Sequence, residues 1–142
     1  MNPEGATNAE LDALARDLKI PNYEPCRMKD ELRGQTVAAC ECGIVNLQNT
    51  DQVGSHWVLY FNDSTRKLAY SSYGDPVPQE LVDYLGHTPP IFTSDIQIQA
   101  FSETSCGYYC IAILLLLADG VAFEDIVLGF KSCRFAPSQK SD

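Results

Sequence analysis

Cys106 is the residue of this sequence best suited to act as a nucleophile. It directly precedes Gly107 and a long apolar run, which the sequence predicts to be a buried helix over residues 106–118. The N-terminus of a helix offers free backbone N–H groups and the positive end of the helix dipole, and both favour a thiolate over a thiol. Cys106 is therefore the candidate for covalent catalysis.

A nucleophilic cysteine needs a base, and the chain has only two histidines, His56 and His87. His56 stands beside Trp57 at the start of a predicted strand, where a sheet would hold the imidazole rigidly. His87 lies in a proline-bounded loop, which is typical of a solvated surface residue. The sequence thus favours His56 as the general base.

Acyl transfer also needs hydrogen-bond donors for the oxyanion of its tetrahedral intermediate. The backbone N–H of Cys106 could supply one donor. A side-chain amide from the preceding segment could supply the second, and Gln97 and Gln99 both lie there.

The other cysteines leave different chemistries open. The six are Cys26, Cys40, Cys42, Cys106, Cys110 and Cys133. An even set suggests three disulfides in a secreted chain, but this one is long enough to bury a core without them and begins with an acidic, polar segment instead of a secretory signal. The spacing of the cysteines is also not that of zinc ligands. We expect Cys26, Cys110 and Cys133 to be structural and the protein to work in a reducing compartment.

Composition and charge narrow the class of protein. With 142 residues, 45% of them hydrophobic, the sequence predicts one domain over residues 1–142, with residues 137–142 as a disordered tail. Its net charge of −9, with scattered basic residues, argues against nucleic acid as a partner. The apolar stretch over residues 108–118 is too short for a bilayer span. No metal or cofactor is expected.

The pattern of hydrophobic residues predicts an α+β fold. A capping box of Thr7 and Glu10 starts a helix over residues 8–19. Strands are expected at residues 43–47, 56–61 and 67–73, the last two forming an antiparallel hairpin, and at 96–101. Helices are expected before Gly86, at 106–118 and at 122–130.

The order Gly54-Ser55-His56-Trp57, then Gln99, then Cys106-Gly107 resembles that of the adenovirus-type, or adenain-like, cysteine proteases, and more distantly that of the SUMO-deconjugating Ulp proteases. Residues 42–47 and 78–85 are most similar to the small proteases of Polinton-type elements and related double-stranded DNA viruses. The resemblance covers about residues 10–118. It implies a papain-like fold with a small mixed or antiparallel sheet, a His–acid–Cys triad with His56 and Cys106, and Gln99 in the oxyanion hole.

The sequence departs from that family at the acid. Family members carry Asp, Glu or Asn where Tyr70-Ser71-Ser72-Tyr73-Gly74 places Ser71. A serine hydroxyl can accept the imidazole N–H, but it cannot stabilise an imidazolium by charge. Three alternatives stay open: a dyad oriented by Ser71, an acid recruited from Asp75 or Asp63, and a pseudoenzyme.

The resemblance implies a thiol endopeptidase that cleaves polypeptides after small residues such as Gly, in the maturation of viral capsid or core precursors. The resemblance leaves open whether an activating peptide is a partner. The alternatives are an isopeptidase acting on ubiquitin-like tails and a catalytically weakened pseudoprotease that only binds. The expected location is a reducing compartment of the host cell, the cytoplasm or nucleus, or the virion itself.

Overall fold

The computed structural model describes residues 7–48, 56–98 and 106–132. In chain order the elements are α1 (Asn8–Asp17), β1 (Tyr23–Met28), a 3₁₀ helix (Lys29–Leu32), β2 (Glu41–Asn46), β3 (Trp57–Asn62), β4 (Lys67–Tyr70), α2 (Gln79–Leu85), α3 (Cys106–Ala118) and α4 (Phe123–Lys131). None of the helices in these ranges is long and apolar enough to cross a membrane.

The four strands form one mixed sheet in the order β1-β2-β3-β4. β1 runs parallel to β2, whereas β2 pairs antiparallel with β3 and β3 antiparallel with β4. The predicted hairpin of β3 and β4 is confirmed, and so are the helices at residues 106–118 and 122–130 to within a residue. Asp63 closes the hairpin by accepting hydrogen bonds from the backbone N–H groups of Thr65 and Arg66.

Both faces of the sheet are buried, by different helices. Ile44, Trp57 and Leu59 point to the face covered by α1, α3 and α4. Their neighbours Val45 and Val58 point to the other face, which α2 and the 3₁₀ helix cover. Because side chains alternate along a strand, each strand contributes to two separate cores.

α1 begins with the predicted capping box, in which the Glu10 N–H donates to Thr7 Oγ1 and the Thr7 N–H donates to Glu10 Oε1. The helix ends at Asp17, two residues earlier than expected, because Lys19 takes a left-handed conformation with φ of 57°. Further along, Gly120 has φ of 89° and separates α3 from α4. α3 is buried along most of its surface, although a stripe that includes Ala112, Leu115 and Leu116 is only half-buried.

One strand was missed and one predicted strand is wrong. β1 was not predicted; it lies at the sheet edge, where the missing N–H of Pro25 is tolerated, and its register shifts beside that proline. The strand predicted at residues 96–101 is not formed over residues 96–98, which run irregularly beside the end of β4. Residues 99–101 lie outside the described ranges.

Candidate active site

His56 and Ser71 come together where the hairpin opens. His56 directly precedes β3 and Ser71 directly follows β4, and the two strands are antiparallel, so these positions lie at the same end of the sheet. The His56 Nε2 atom lies 3.1 Å from Ser71 Oγ, within hydrogen-bond distance. Ser71 is fully buried. The structure thus joins the predicted base to the residue at the position of the family acid.

A tight turn fixes the Ser71 hydroxyl. The backbone N–H of Tyr73 donates to Ser71 Oγ at 3.3 Å, and the N–H of Gly74 donates to the Ser71 carbonyl at 2.8 Å. Gly74 has φ of 78°, a conformation that favours glycine. A Cβ atom on Gly74 would also collide with the backbone carbonyl of Asp95. The turn therefore requires glycine for its conformation and for its contact with the following segment.

Tyr73 covers one face of the imidazole. Its ring is stacked on that of His56, with 4.4 Å between the ring centroids and 13° between the planes. Sequence analysis did not identify this residue. The available signal was an aromatic residue between the serine pair and a turn glycine, in Ser71-Ser72-Tyr73-Gly74.

The second imidazole nitrogen of His56 makes no hydrogen bond to any described residue. This nitrogen, Nδ1, is buried. Burial lowers the pKa of His56, and the negative charge of Asp75 offsets this only in part, so the pKa stays below the usual histidine value. The site accordingly favours a neutral imidazole.

The start of α3 packs against α1 and β3 through Gly107. A Cβ atom on Gly107 would lie 2.7 Å from Leu11 Cδ1 and 3.3 Å from Trp57 Cδ1, so a larger residue would force the Leu11 side chain to shift. The Cys110 thiol, one turn later, lies 3.7 Å from the Trp57 carbonyl oxygen, to which it donates. Cys106 is the first residue of this helix, as the sequence predicted. Its neighbour Gly107 therefore contacts the neighbour of His56.

Other predicted site residues are distributed as follows. Gln99 lies outside the described residues, and the backbone N–H of Ile98, just before it, donates to the Ser72 carbonyl at 2.9 Å. His87 is exposed in the loop after α2. Asp63 lies at the opposite end of β3 from His56, about 20 Å away along the strand, so it cannot replace the acid. Asp75 is exposed.

Four cysteine side chains are described, and all four are free thiols: Cys26, Cys40, Cys42 and Cys110. Burial raises the pKa of both Cys26 and Cys42 to about 12, which makes these thiols poor nucleophiles. The described ranges contain no group of three or more His, Cys, Asp or Glu side chains that could hold a metal ion.

A second polar cluster lies around Glu41. Its Oε2 atom accepts hydrogen bonds from Tyr60 at 2.5 Å, Tyr84 at 2.6 Å and Arg27 at 3.1 Å, while Oε1 accepts the Ala38 N–H at 2.9 Å. Burial alone would raise the pKa of Glu41, but hydrogen bonds from both tyrosine hydroxyls and the Ala38 N–H, together with the charge of Arg27, outweigh it and hold the pKa below its usual range. Because its oxygens are already engaged, this carboxylate is a structural group.

Comparison with solved structures places this fold among proteases. Two crystal structures of the ASFV pS273R protease match the chain, each at 19% sequence identity. One, of the selenomethionine protein, has a TM-score of 0.52 and covers 63% of this chain and 38% of its own; the other has a TM-score of 0.59 and covers 97% and 66%. The chain thus spans less than two thirds of that protease. The predicted α+β, papain-like cysteine protease fold is confirmed.

No family model matches the chain, and no curated protein sequence matches it. At 19% identity, the structural comparison shows the fold alone. It does not separate out adenain-like or Polinton-type proteins, so that closer assignment stays a prediction.

Proposed function

We propose that the protein is a cysteine peptidase in which Cys106 is the nucleophile and His56 the base. The observation that carries the proposal is the state of His56: Ser71 holds Nε2, while Nδ1 is buried and unpaired among the described residues. A buried nitrogen without a partner costs free energy, and such costs are typical of functional sites. The contact of Gly107 with Trp57 supports a place for Cys106 close to that nitrogen.

In the proposed reaction Cys106 gives its proton to His56 Nδ1, and the sulfur attacks the carbonyl carbon of a peptide bond. The C–N bond then breaks, and His56 returns the proton to the leaving amine. Water then attacks the thioester carbonyl carbon and gives a proton to His56, the C–S bond breaks to release the acid product, and His56 returns the proton to the sulfur. Gln99 and the Cys106 N–H would donate to the oxyanion in both halves of the reaction.

The substrate and setting belong to the same proposal. Resemblance of the His56-Trp57 and Cys106-Gly107 motifs to adenain-like proteases supports an endopeptidase that cleaves after small residues such as Gly, acting on viral capsid or core precursors inside a host cell or virion. An activating peptide would be a further partner. On the same basis we propose that residues 1–142 form a single domain.

Ser71 favours a second function, that of a pseudoprotease. An imidazole that faces a neutral hydroxyl loses the charge stabilisation that an acid provides, so a protein that only binds peptides would tolerate this arrangement. The two functions differ in one measurable property, the reactivity of Cys106.

The test is iodoacetamide labelling of each cysteine from about pH 5 to 9, followed by mass spectrometry. His56→Ala is compared with wild type, and His87→Ala is the matched control because that histidine is exposed. An ordinary thiol has a pKa of about 8.5. We expect Cys106 to react with iodoacetamide at a pH well below this value, and to lose this reactivity in His56→Ala but not in His87→Ala. Labelling of Cys106 that is unaffected by His56→Ala would contradict the peptidase.

A second assay separates the enzymatic alternatives. Fluorogenic peptides ending in Gly-Gly and a fusion of ubiquitin-like protein to a reporter are offered to wild type and Cys106→Ala. Cleavage of the peptides but not of the fusion identifies an endopeptidase, whereas cleavage of the fusion identifies the alternative that acts on ubiquitin-like tails. Binding of either one without cleavage supports the pseudoprotease.

A further inference from the structure

We infer that Tyr73 is a positioning residue for His56: its ring sets the plane of the imidazole, while Ser71 selects which nitrogen serves as the base. This inference rests on the proposed function for its catalytic meaning. The structural role itself is independent, because it concerns only contacts among described residues.

The two contacts restrict different motions of the His56 side chain. A hydrogen bond between Nε2 and Ser71 Oγ holds one edge of the imidazole but lets the ring tilt about that contact. The stack on Tyr73, with only 13° between the ring planes, removes the tilt. Conversely, a stack alone would allow a half-turn of the ring about the Cβ–Cγ bond, which keeps the ring plane but puts carbon atoms at the positions of the two nitrogens. The two contacts are therefore complementary.

The hydrogen-bond capacity of Ser71 selects the tautomer of His56. A hydroxyl offers one donor and two acceptor lone pairs. The Tyr73 N–H occupies one lone pair of Oγ, and the second lone pair is available to an N–H on His56 Nε2. In that tautomer Nδ1 carries a lone pair, as a base requires. The opposite tautomer would bury an unpaired N–H on Nδ1, and buried N–H groups without partners are rarer than unpaired acceptors.

A single tight turn supplies both contacts to His56. Tyr73 supplies the stacked ring through its side chain and the bond to Ser71 Oγ through its backbone, and Gly74 closes the turn onto the Ser71 carbonyl. Ring and hydroxyl cannot move independently over so short a segment. This turn thus provides the orientation that a carboxylate provides elsewhere, although without its charge.

The test separates ring from hydroxyl with three variants. Tyr73→Leu removes the aromatic plane and keeps the backbone N–H; Tyr73→Phe keeps the ring; Ser71→Ala removes the hydroxyl. Nitrogen-15 NMR of His56 reports the tautomer, and the proton shifts of His56 report the stack. Circular dichroism melts confirm that each variant is folded.

In wild type we expect one dominant tautomer, protonated on Nε2, with ring protons shifted by Tyr73. Tyr73→Leu should lose the ring-current shift and lower His56-dependent labelling of Cys106 at least about tenfold, since small misplacements of catalytic groups have effects of this size. Tyr73→Phe should restore both. Ser71→Ala should keep the ring-current shift and mix the tautomers.

Unchanged His56 proton shifts, or unchanged His56-dependent labelling of Cys106, in folded Tyr73→Leu would overturn the role of Tyr73, and a single unchanged tautomer in folded Ser71→Ala would overturn the role of Ser71. The two proposals fail separately: if Cys106 shows no His56-dependent reactivity in wild type, the peptidase fails, while the NMR result still decides the role of Tyr73. Should Tyr73→Leu be unfolded, Tyr73→His, which keeps a planar ring, and Tyr73→Met, which does not, give the same contrast.

Discussion

Gly107 of α3 contacts Trp57 of β3, with 3.3 Å between Trp57 Cδ1 and the position that a Cβ atom on Gly107 would occupy. Each is the residue that follows a proposed catalytic group, so this contact sets the separation between the start of the helix and the start of the strand. Leu11 of α1 closes the same contact from the other side. The geometry of the site therefore depends on a glycine that performs no chemistry.

Replacement of Gly107 by alanine is predicted to lower the free energy of unfolding. The new methyl group would lie 2.7 Å from Leu11 Cδ1 in a region where Leu11 is fully buried, and such overpacking costs about 1–3 kcal/mol. The higher helix propensity of alanine returns up to about 1 kcal/mol. We expect a net loss of about 1 kcal/mol by urea denaturation, together with slower His56-dependent labelling of Cys106.

A double-mutant cycle supplies the control for Gly107→Ala. Leu11→Ala alone should cost about 2–5 kcal/mol because it leaves a cavity. In the double variant the methyl group on residue 107 occupies part of that cavity, so the combined loss should be smaller than the sum. Additive losses would show that the two residues do not share this space.

The thiols of the native protein are predicted to react at widely different rates. Cys40 is exposed and therefore accessible to the reagent, whereas burial raises the pKa of Cys26 and Cys42 to about 12, which leaves little thiolate at neutral pH. Mass spectrometry after brief iodoacetamide treatment at about pH 8 should find Cys40 labelled before Cys26 and Cys42. Equal labelling of these three in native protein, with the usual equal labelling in denaturant, would contradict the burial described here.

Much of the fold was predictable because its signals are local. The capping box of Thr7 and Glu10 and the apolar run after Cys106 each specify an element from consecutive residues. β1 was missed because its stability comes from pairing with β2, a partner that its own sequence does not reveal. Residues 96–98 alternate like a strand, yet the hydrogen bond from the Ile98 N–H to the Ser72 carbonyl and the burial of Ile98 in the core define their path.

The candidate site was predictable to a similar degree. His56 was identified because the chain has few histidines and this one begins a strand, and Ser71 was identified from the family resemblance, as the residue at the position of the acid. The meeting of His56 with Ser71 follows from the antiparallel pairing of β3 and β4. The stacking of Tyr73 was not predictable, because it depends on the direction in which a tight turn presents a side chain.

Glu41 is predicted to be essential for stability but not for chemistry. Glu41→Ala leaves the hydroxyl groups of Tyr60 and Tyr84 without their acceptor, while Arg27 keeps only its hydrogen bonds to the two tyrosine oxygens. A buried donor without an acceptor costs about 1–3 kcal/mol, so we expect a loss of about 2–6 kcal/mol for the two hydroxyl groups. Glu24→Gln, an exposed change on the neighbouring strand, is the matched control and should cost less than about 0.5 kcal/mol. Urea denaturation measures both. A loss below about 1 kcal/mol for Glu41→Ala would mean that the cluster is dispensable.

The stability of the protein is predicted to fall on acidification through the range where histidines titrate. Burial lowers the pKa of His56 in the folded state, with a partial offset from Asp75, so the unfolded chain binds a proton at a higher pH than the folded protein does. The free energy of unfolding then rises with pH in this window. His56 contributes its full share above the ordinary histidine pKa of about 6.5, and this share decreases as the pH falls below it.

The measurement is urea denaturation between about pH 5 and 8 in a Cys106→Ala background, which removes any coupling between the thiol and the imidazole. His56→Gln should lose part of the acid sensitivity, so the difference in unfolding free energy between the parent and this variant should shrink as the pH is lowered. The exposed His87 provides His87→Gln as control, with a difference that changes less. A difference that grows on acidification would mean that the folded protein binds the proton on His56 more tightly than the unfolded chain does. In that case a carboxylate, with Asp75 the nearest candidate by its electrostatic effect, would fill the role that we assign to Ser71.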